Sequence, residues 1–147
     1  MQRYDEDMAA REFEILEHPA DIGFRAFGET LPELFARSAV AMLSIAGDPP
    51  AVEPRERYSL HVESGDREAL LVDWLSEVLF WFDGRRIAFR EFRVDRFSDT
   101  AIDATGMGEP RTADRHRSRL MVKAVTYHQL KIERRDGLWT ADVYLDI

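Results

Sequence analysis

The chain has 147 residues, a net charge of −8 and no cysteine. That length is enough for one domain with a real hydrophobic core, and 45% hydrophobic with 11% aromatic residues describes a globular chain and excludes a disordered one. The acidic balance excludes a global electrostatic footprint for nucleic acid, and the lack of cysteine excludes disulfides, thiolate nucleophiles and cysteine-ligated zinc.

Residues 1–11 carry Asp5, Glu6 and Asp7 and read as a flexible tail ahead of a single domain over 12–147. They lack the apolar run of a secretory signal. Nowhere does the chain approach the about 20 apolar residues of a membrane span, so a cytoplasmic protein is expected. Glu12 to Glu17 alternates as a short strand, His18-Pro19-Ala20-Asp21 is a turn, and Ile22 to Phe27 is a second strand closed by Gly28.

Thr30-Leu-Pro-Glu33 is a helix start, with a capping threonine, a proline in the first turn and Glu33 completing a capping box. Leu31, Leu34, Phe35, Ser38, Met42 and Ile45 follow at helical spacing until Gly47 and Pro49. Arg57 to Glu63 alternates as a strand. A second helix starts near Asp66, ends at Gly84 and turns Leu71, Trp74, Leu75, Val78, Leu79 and Phe82 to one broad face. Beyond Gly84 the period changes to two. Ile87–Asp95 and Ala101–Met107 read as strands, and Gly106, Gly108 and Pro110 open a loop that runs to Arg119. The fold class expected is α+β, two amphipathic helices packed on a mainly antiparallel sheet.

Asp136-Gly137 is a type I′ turn signal, so the last two strands form a hairpin. With Arg135 opposite Leu138, a regular ladder pairs Lys131 with Asp142, Gln129 with Tyr144 and Tyr127 with Asp146 on a wetter face. The other face pairs Ile132 with Ala141, Leu130 with Val143 and His128 with Leu145. The strand pattern persists to the last residue. Asp146 and the carboxylate of Ile147 then stand side by side, and two adjacent anionic groups either repel or hold a hard cation.

If the early turn approaches that strand end, Asp21 adds a third oxygen donor with histidine nearby. Taken singly, Asp21 reads first as a turn-capping aspartate, Asp146 as a solvated charge and His128 as a half-buried imidazole. His61 and His116 read as surface or loop residues. Arg111 to Arg119 holds four arginines and a histidine; it is either a contact for RNA or an acidic partner, or a solvated loop with local ion pairs.

His18-Pro-Ala-Asp21-Ile-Gly23, Leu31-Pro-Glu-Leu34-Phe35, Val122-Lys-Ala-Val-Thr-Tyr-His128 and the closing Asp146-Ile147 together resemble the archease family. That family's pattern reads roughly H-T-A-D-I-G near the start, K-A-V-T-Y-H late and D-I at the end. The likeness runs from Phe13 to Ile147, and the departure is Pro19 where threonine is usual. The resemblance implies a protein cofactor, not an enzyme. Archeases help RtcB-type RNA ligases, which join RNA ends in tRNA splicing and RNA repair through a guanylylated histidine, by promoting guanylylation and repeated turnover.

Carried over to matching positions, the family's metal site is Asp21, Asp146 and Ile147, holding Ca²⁺ or Mg²⁺. His18, Lys123, Tyr127 and His128 act on the partner or support the metal ligands, and RNA is engaged only through the ligase. In a regular ladder Lys123 lies roughly 14 Å along the strand from Tyr127, so it is expected to act apart from the metal. Two other functions are open: a general chaperone or accessory factor for RNA-modifying enzymes, and a metal-dependent hydrolase, which the lack of an evident nucleophile or base disfavours.

Overall fold

The computed structural model describes residues 12–17 and 21–147. The expected tail over 1–11, and His18 with Pro19 in the turn, lie outside the described residues. Among the described residues one four-stranded and one three-stranded antiparallel sheet enclose a pair of α-helices. The first sheet has the order β1 (Phe13–Glu17), β2 (Ile22–Gly28), β7 (Leu138–Asp146), β6 (Ala124–Arg135). The second has the order β3 (Glu56–Glu63), β5 (Ala101–Pro110), β4 (Ile87–Ser98).

Helix α1 (Leu31–Ala46) begins as its capping signature dictates: Thr30 Oγ1 accepts the Glu33 N–H at 3.2 Å. The Glu33 carboxylate reaches back one residue further than a capping box requires and accepts the Glu29 N–H at 2.7 Å. Helix α2 (Arg67–Asp83) is capped by Asp66, which accepts the Ala69 N–H at 2.8 Å. The α1 stripe foreseen from spacing is too narrow. Ala39, Ala41, Leu43 and Ala46 are buried as well, because α1 packs on β2 of one sheet and on β4 of the other. A helix covered on two sides is apolar on two sides. Trp74 of α2 ties the layers together: its indole N–H donates to Phe35 O at 2.9 Å, and its ring meets Phe92 edge-on at 5.5 Å.

Gly106 and Gly108 lie within β5 and do not open a loop. A side chain at Gly106 would meet the Phe89 ring at 2.4 Å, and one at Gly108 would meet Ala88 O at 1.9 Å. These glycines permit close approach across the sheet.

The hairpin register holds at its turn end and fails at the other. Asp136 and Gly137 both have positive φ (53° and 81°), as a type I′ turn requires. Arg135 pairs with Leu138 and Lys131 with Asp142 as expected. Then Thr126 pairs with Tyr144, Val125 with Leu145 and Ala124 with Asp146. The four residues 127–130 therefore stand against Val143 alone, in a wide bulge. The predicted pairs Gln129–Tyr144, Tyr127–Asp146, Leu130–Val143 and His128–Leu145 do not form. A straight ladder would have run Val125 and Thr126 past the end of β7. The bulge gives them partners and still lets both Val125 and Leu130 pack on the core.

Thr126 holds the bulge, its hydroxyl donating to Tyr144 O at 3.1 Å and accepting the His128 N–H at 3.2 Å. Gln129 occupies the left-handed region with φ 54°. A β-branched side chain there is strained, so Gln129→Val is expected to lower stability by about 1–2 kcal/mol, whereas Gln129→Gly should be neutral or stabilising. Urea titration of the two variants checks this; equal midpoints would show that the turn is not constrained.

Candidate functional site

Register builds the site. Ile22 of β2 pairs with Leu145 of β7, so Asp21 and Asp146 are each one residue beyond a paired position on neighbouring strands. Their α-carbons are therefore at most about 13 Å apart, and about 5 Å in a regular ladder. The start of β2 and the end of β7 meet here.

The strands also give both aspartates one face. Phe24 and Ala26 of β2, with Ala141, Val143 and Leu145 of β7, point into the core. The alternate positions point outward: Gly23 pairs with Tyr144 and Arg25 with Asp142. Asp21 and Asp146 continue that outward row. Asp21 is half-buried and Asp146 exposed.

The row is rigid on its inner side. Arg25 grips Asp142 through two charge-assisted bonds of 2.6 and 2.9 Å, and this carboxylate holds the guanidinium above its ordinary pKa. Tyr144 lies over Gly23, where an added Cβ would sit 2.7 Å from the ring and 2.6 Å from Val143 O. Sequence reading missed Tyr144. Its signal was a glycine two residues after Asp21, which in a strand marks a close approach.

The bulge moves three other candidates. His128 is exposed on the outward face, its ring centroid 6.3 Å from that of Tyr144, and is not the inward neighbour of Leu145. Tyr127 turns the other way. It is exposed, its hydroxyl pKa is raised by partial burial and then by Asp73 of α2 and the helix cap Asp66, and the residue opposite Asp146 is Ala124. Lys123 comes closer than a regular ladder allows: its N–H donates to Asp146 O at 2.7 Å. Its side chain lines a groove with Ser76, Leu79, Phe80 and Asp83 on the helix side of the sheet. His18 lies outside the described residues.

Beside the strand end, the segment leading into β6 leaves Leu120 and Met121 exposed, and Ile147 is exposed next to Asp146. An apolar groove of about 460 Å³, lined by Phe13, Ile15, Ile22, Ile45, Pro49 and Leu120 among others, opens at this end of the molecule.

The arginine-rich loop is in part a structural device. Glu109, buried at the end of β5, accepts bonds from the Glu53 N–H at 2.9 Å, Arg115 at 2.9 Å and His116 at 2.9 Å. His116 is buried, contrary to its expected surface position. Its Nδ1 accepts the Thr112 N–H at 2.9 Å, so Nε2 carries the proton given to Glu109. Arg115 first, then the Glu53 N–H and His116, hold the Glu109 carboxyl down at about 2 against an ordinary 4.5.

A carboxyl with a depressed folded pKa takes up protons more readily in the unfolded chain. Its stabilisation is whole above pH 4.5 and is lost as pH falls toward about 2. Glu109→Gln should therefore flatten the acid limb of stability against pH over that window. Urea midpoints between pH 2 and 6 give the comparison, and parallel curves would remove Glu109 from the account.

As for a metal, two carboxylates and the Ile147 main chain make an all-oxygen donor set suited to Ca²⁺ or Mg²⁺ and unsuited to softer ions. Among the described residues no three His, Asp or Glu side chains converge on one point. A cation held by Asp21, Asp146 and Ile147 would thus keep water in its shell, as Mg²⁺ commonly does. The residues present fit such an ion.

Comparison with known proteins gives the family of the chain. Residues 13–147 match the model of the Archease protein family (MTH1598/TM1083). The chain is 38% identical over 141 residues to protein archease of Methanosarcina mazei, covering 93% of this chain and 97% of that one. It is 37% identical over 138 residues to protein archease of Methanopyrus kandleri, covering 92% and 99%. The solution structure of Methanobacterium thermoautotrophicum protein 1598 superposes with a TM-score of 0.76 at 37% identity, covering 92% and 98%. An archease crystal structure from Thermotoga maritima shares the fold with a TM-score of 0.64 at 21% identity, covering 90% and 94%. With the family model matched over residues 13–147 and relatives more than 30% identical over nearly the whole of both chains, this chain belongs to the archease family.

Proposed function

We propose that the protein is a non-catalytic activator of an RtcB-type RNA ligase, promoting ligase guanylylation and repeated turnover with a divalent cation held by Asp21, Asp146 and Ile147. One observation supports it above the others: β2 and β7 are neighbours in a register that brings Asp21 and Asp146 to one end and one face of the sheet. Guanylyl transfer develops negative charge on phosphate oxygens, and a hard cation supplies the charge to offset it.

This chain's own residues position and present that charge. The Arg25–Asp142 pair and the Gly23–Tyr144 contact fix the outward row. The Lys123 N–H bond to Asp146 O fixes the end of β7. His128 stands on the same face, and Leu120, Met121 and Ile147 offer apolar contact area beside it. The bulge ties the Lys123 main chain to the end of β7, while Lys123 lines the groove beside α2, so it acts on the partner or its nucleotide apart from the carboxylates.

The test is ligase guanylylation by GTP with and without this protein, at limiting Ca²⁺ or Mg²⁺. Faster guanylylation that depends on the cation is expected. No acceleration at any cation concentration would end the proposal. Phosphate release or RNA cleavage by the isolated protein would instead favour the hydrolase reading, and stable capture of an RNA-modifying enzyme would favour the chaperone reading.

A further inference from the structure

Away from the carboxylate end, α2 runs into β4 through a turn that faces the arginine-rich loop. A cavity of about 400 Å³ between them is lined by Arg86, Arg111, Ala113, His116, Arg117 and Ser118. Three guanidinium groups share one concavity in a protein whose net charge is −8. Such crowding needs a reason.

The three are unequal. Arg111 is the fixed one, its side chain only 8% exposed. It donates to Phe82 O at 3.1 Å and to Ser118 Oγ at 2.6 Å, and its ring partner is Phe82, 4.0 Å from the guanidinium carbon. Among the described residues its carboxylate partner is Asp83, at 3.4 Å. Arg86 has a left-handed backbone (φ 61°), and its carbonyl accepts the Arg111 N–H at 2.7 Å, so the two arginines are tied through the main chain. Arg86 and Arg117 are exposed, and among the described residues neither has a carboxylate within ion-pair reach.

The nearby acid Glu109 is already engaged by Arg115, Arg55, His116 and the Glu53 N–H. Both nitrogens of His116 are engaged too, leaving it as a wall of the cavity. Burial first, and the charge of Arg86 second, push the Arg111 guanidinium below its ordinary pKa. A loop that merely balanced its charges would have paired these groups. Instead the pairing is completed around Glu109 on one side, while positive charge is left unbalanced on the other.

We propose that this cavity is a binding site for a terminal phosphate group, with Arg86 and Arg117 closing on the phosphate oxygens over the buried Arg111 and Ser118. Guanidinium forks match phosphate oxygens in pairs. The volume suits a single phosphate with a nucleoside attached and not a long polyanion track. The phosphate belongs either to a free nucleotide or to the end of an RNA chain. The site is read from the pocket alone and does not depend on ligase activation, so each can fail without the other.

Calorimetric titration of the full chain at low salt tests it, with four probes: adenosine 5′-monophosphate, adenosine, a short RNA with a terminal phosphate, and the same RNA with hydroxyl ends. Saturable binding of the phosphorylated probes and none of their counterparts is expected. Arg86→Gln with Arg117→Gln, both at exposed positions, should weaken binding by about tenfold or more at an unchanged unfolding midpoint. Tighter binding of the phosphorylated RNA than of the nucleotide assigns the site to RNA ends, and the reverse assigns it to free nucleotides. Equal binding with and without the phosphate, no saturable binding, or indifference to the double substitution would overturn the proposal.

Discussion

Asp146→Ala is expected to abolish ligase activation while leaving the protein folded. Asp146 is the last residue of β7, held to β6 through its main chain, and its side chain is exposed, so that side chain contributes little to packing. Substitutions at such places shift stability by about 0.5 kcal/mol or less. In a chelator, removing one of two adjacent carboxylates also relieves their repulsion, so the variant should unfold no earlier than the parent. Added Ca²⁺ or Mg²⁺ should separate the two proteins. A site that binds only the folded chain raises stability by about 2.7 kcal/mol at a hundredfold excess over Kd. The parent should gain that increment and Asp146→Ala should not.

Asp146→Asn, which keeps the shape and removes the charge, should behave like the alanine variant. Residues appended after Ile147 should also damage activation if its carboxylate is a ligand. The binding readout keeps two failures apart. A variant that loses the cation effect but still activates would detach activation from the metal. One that keeps both the cation effect and full activation would remove Asp146 from the site.

Most of the architecture is written in local signals. Thr30 and Asp66 announce helices that start where they should, and the burial of Leu34, Phe35, Trp74 and Leu75 follows from spacing. Asp136-Gly137 fixes the hairpin turn and the ladder as far as Lys131. What stayed hidden has physical reasons. Strand order is a long-range choice, and nothing in residues 22–28 says that their neighbour is 139–145.

The division into two sheets is hidden in the same way, since it shows only as an α1 that is apolar beyond one stripe. The bulge in β6 carries no glycine to announce it. Gln129 is driven to positive φ by the pairing of Val125 and Thr126 further on, a tertiary demand that overrides a regular local alternation. That single irregularity decides three site residues: it puts His128 outside, sets Ala124 in place of Tyr127 opposite Asp146 and draws the Lys123 main chain to Asp146. His116 was misplaced for a related reason, because its burial depends on Glu109 across the loop.

Gly23→Val sets steric fit against local propensity. Within a strand, valine is favoured over glycine by up to about 1 kcal/mol, and β2 is a regular strand there. If propensity governed, the substitution would stabilise. The surroundings say otherwise. The first added carbon would lie 2.6 Å from Val143 O and 2.7 and 2.8 Å from two atoms of the Tyr144 ring. The ring could swing aside only by leaving a position where it is 9% exposed, and the carbonyl belongs to β7, an inner strand of the sheet, and cannot yield alone.

Overpacking of this kind costs about 1–3 kcal/mol, and two methyl groups further out add to it. A net loss of about 2–3 kcal/mol is therefore expected in urea titration. Relief must come from separating β2 and β7, and that separation moves Asp21 away from Asp146. The cation-dependent rise in stability should fall with it. Gly23→Ala should show a milder form of both effects. Combining it with Tyr144→Ala should recover part of the combined loss, because the ring contact is gone and the carbonyl contact remains. A Gly23→Val protein as stable as the parent and equally responsive to Ca²⁺ would mean that the two strands tolerate the extra volume, and that their spacing does not set the geometry of the carboxylates.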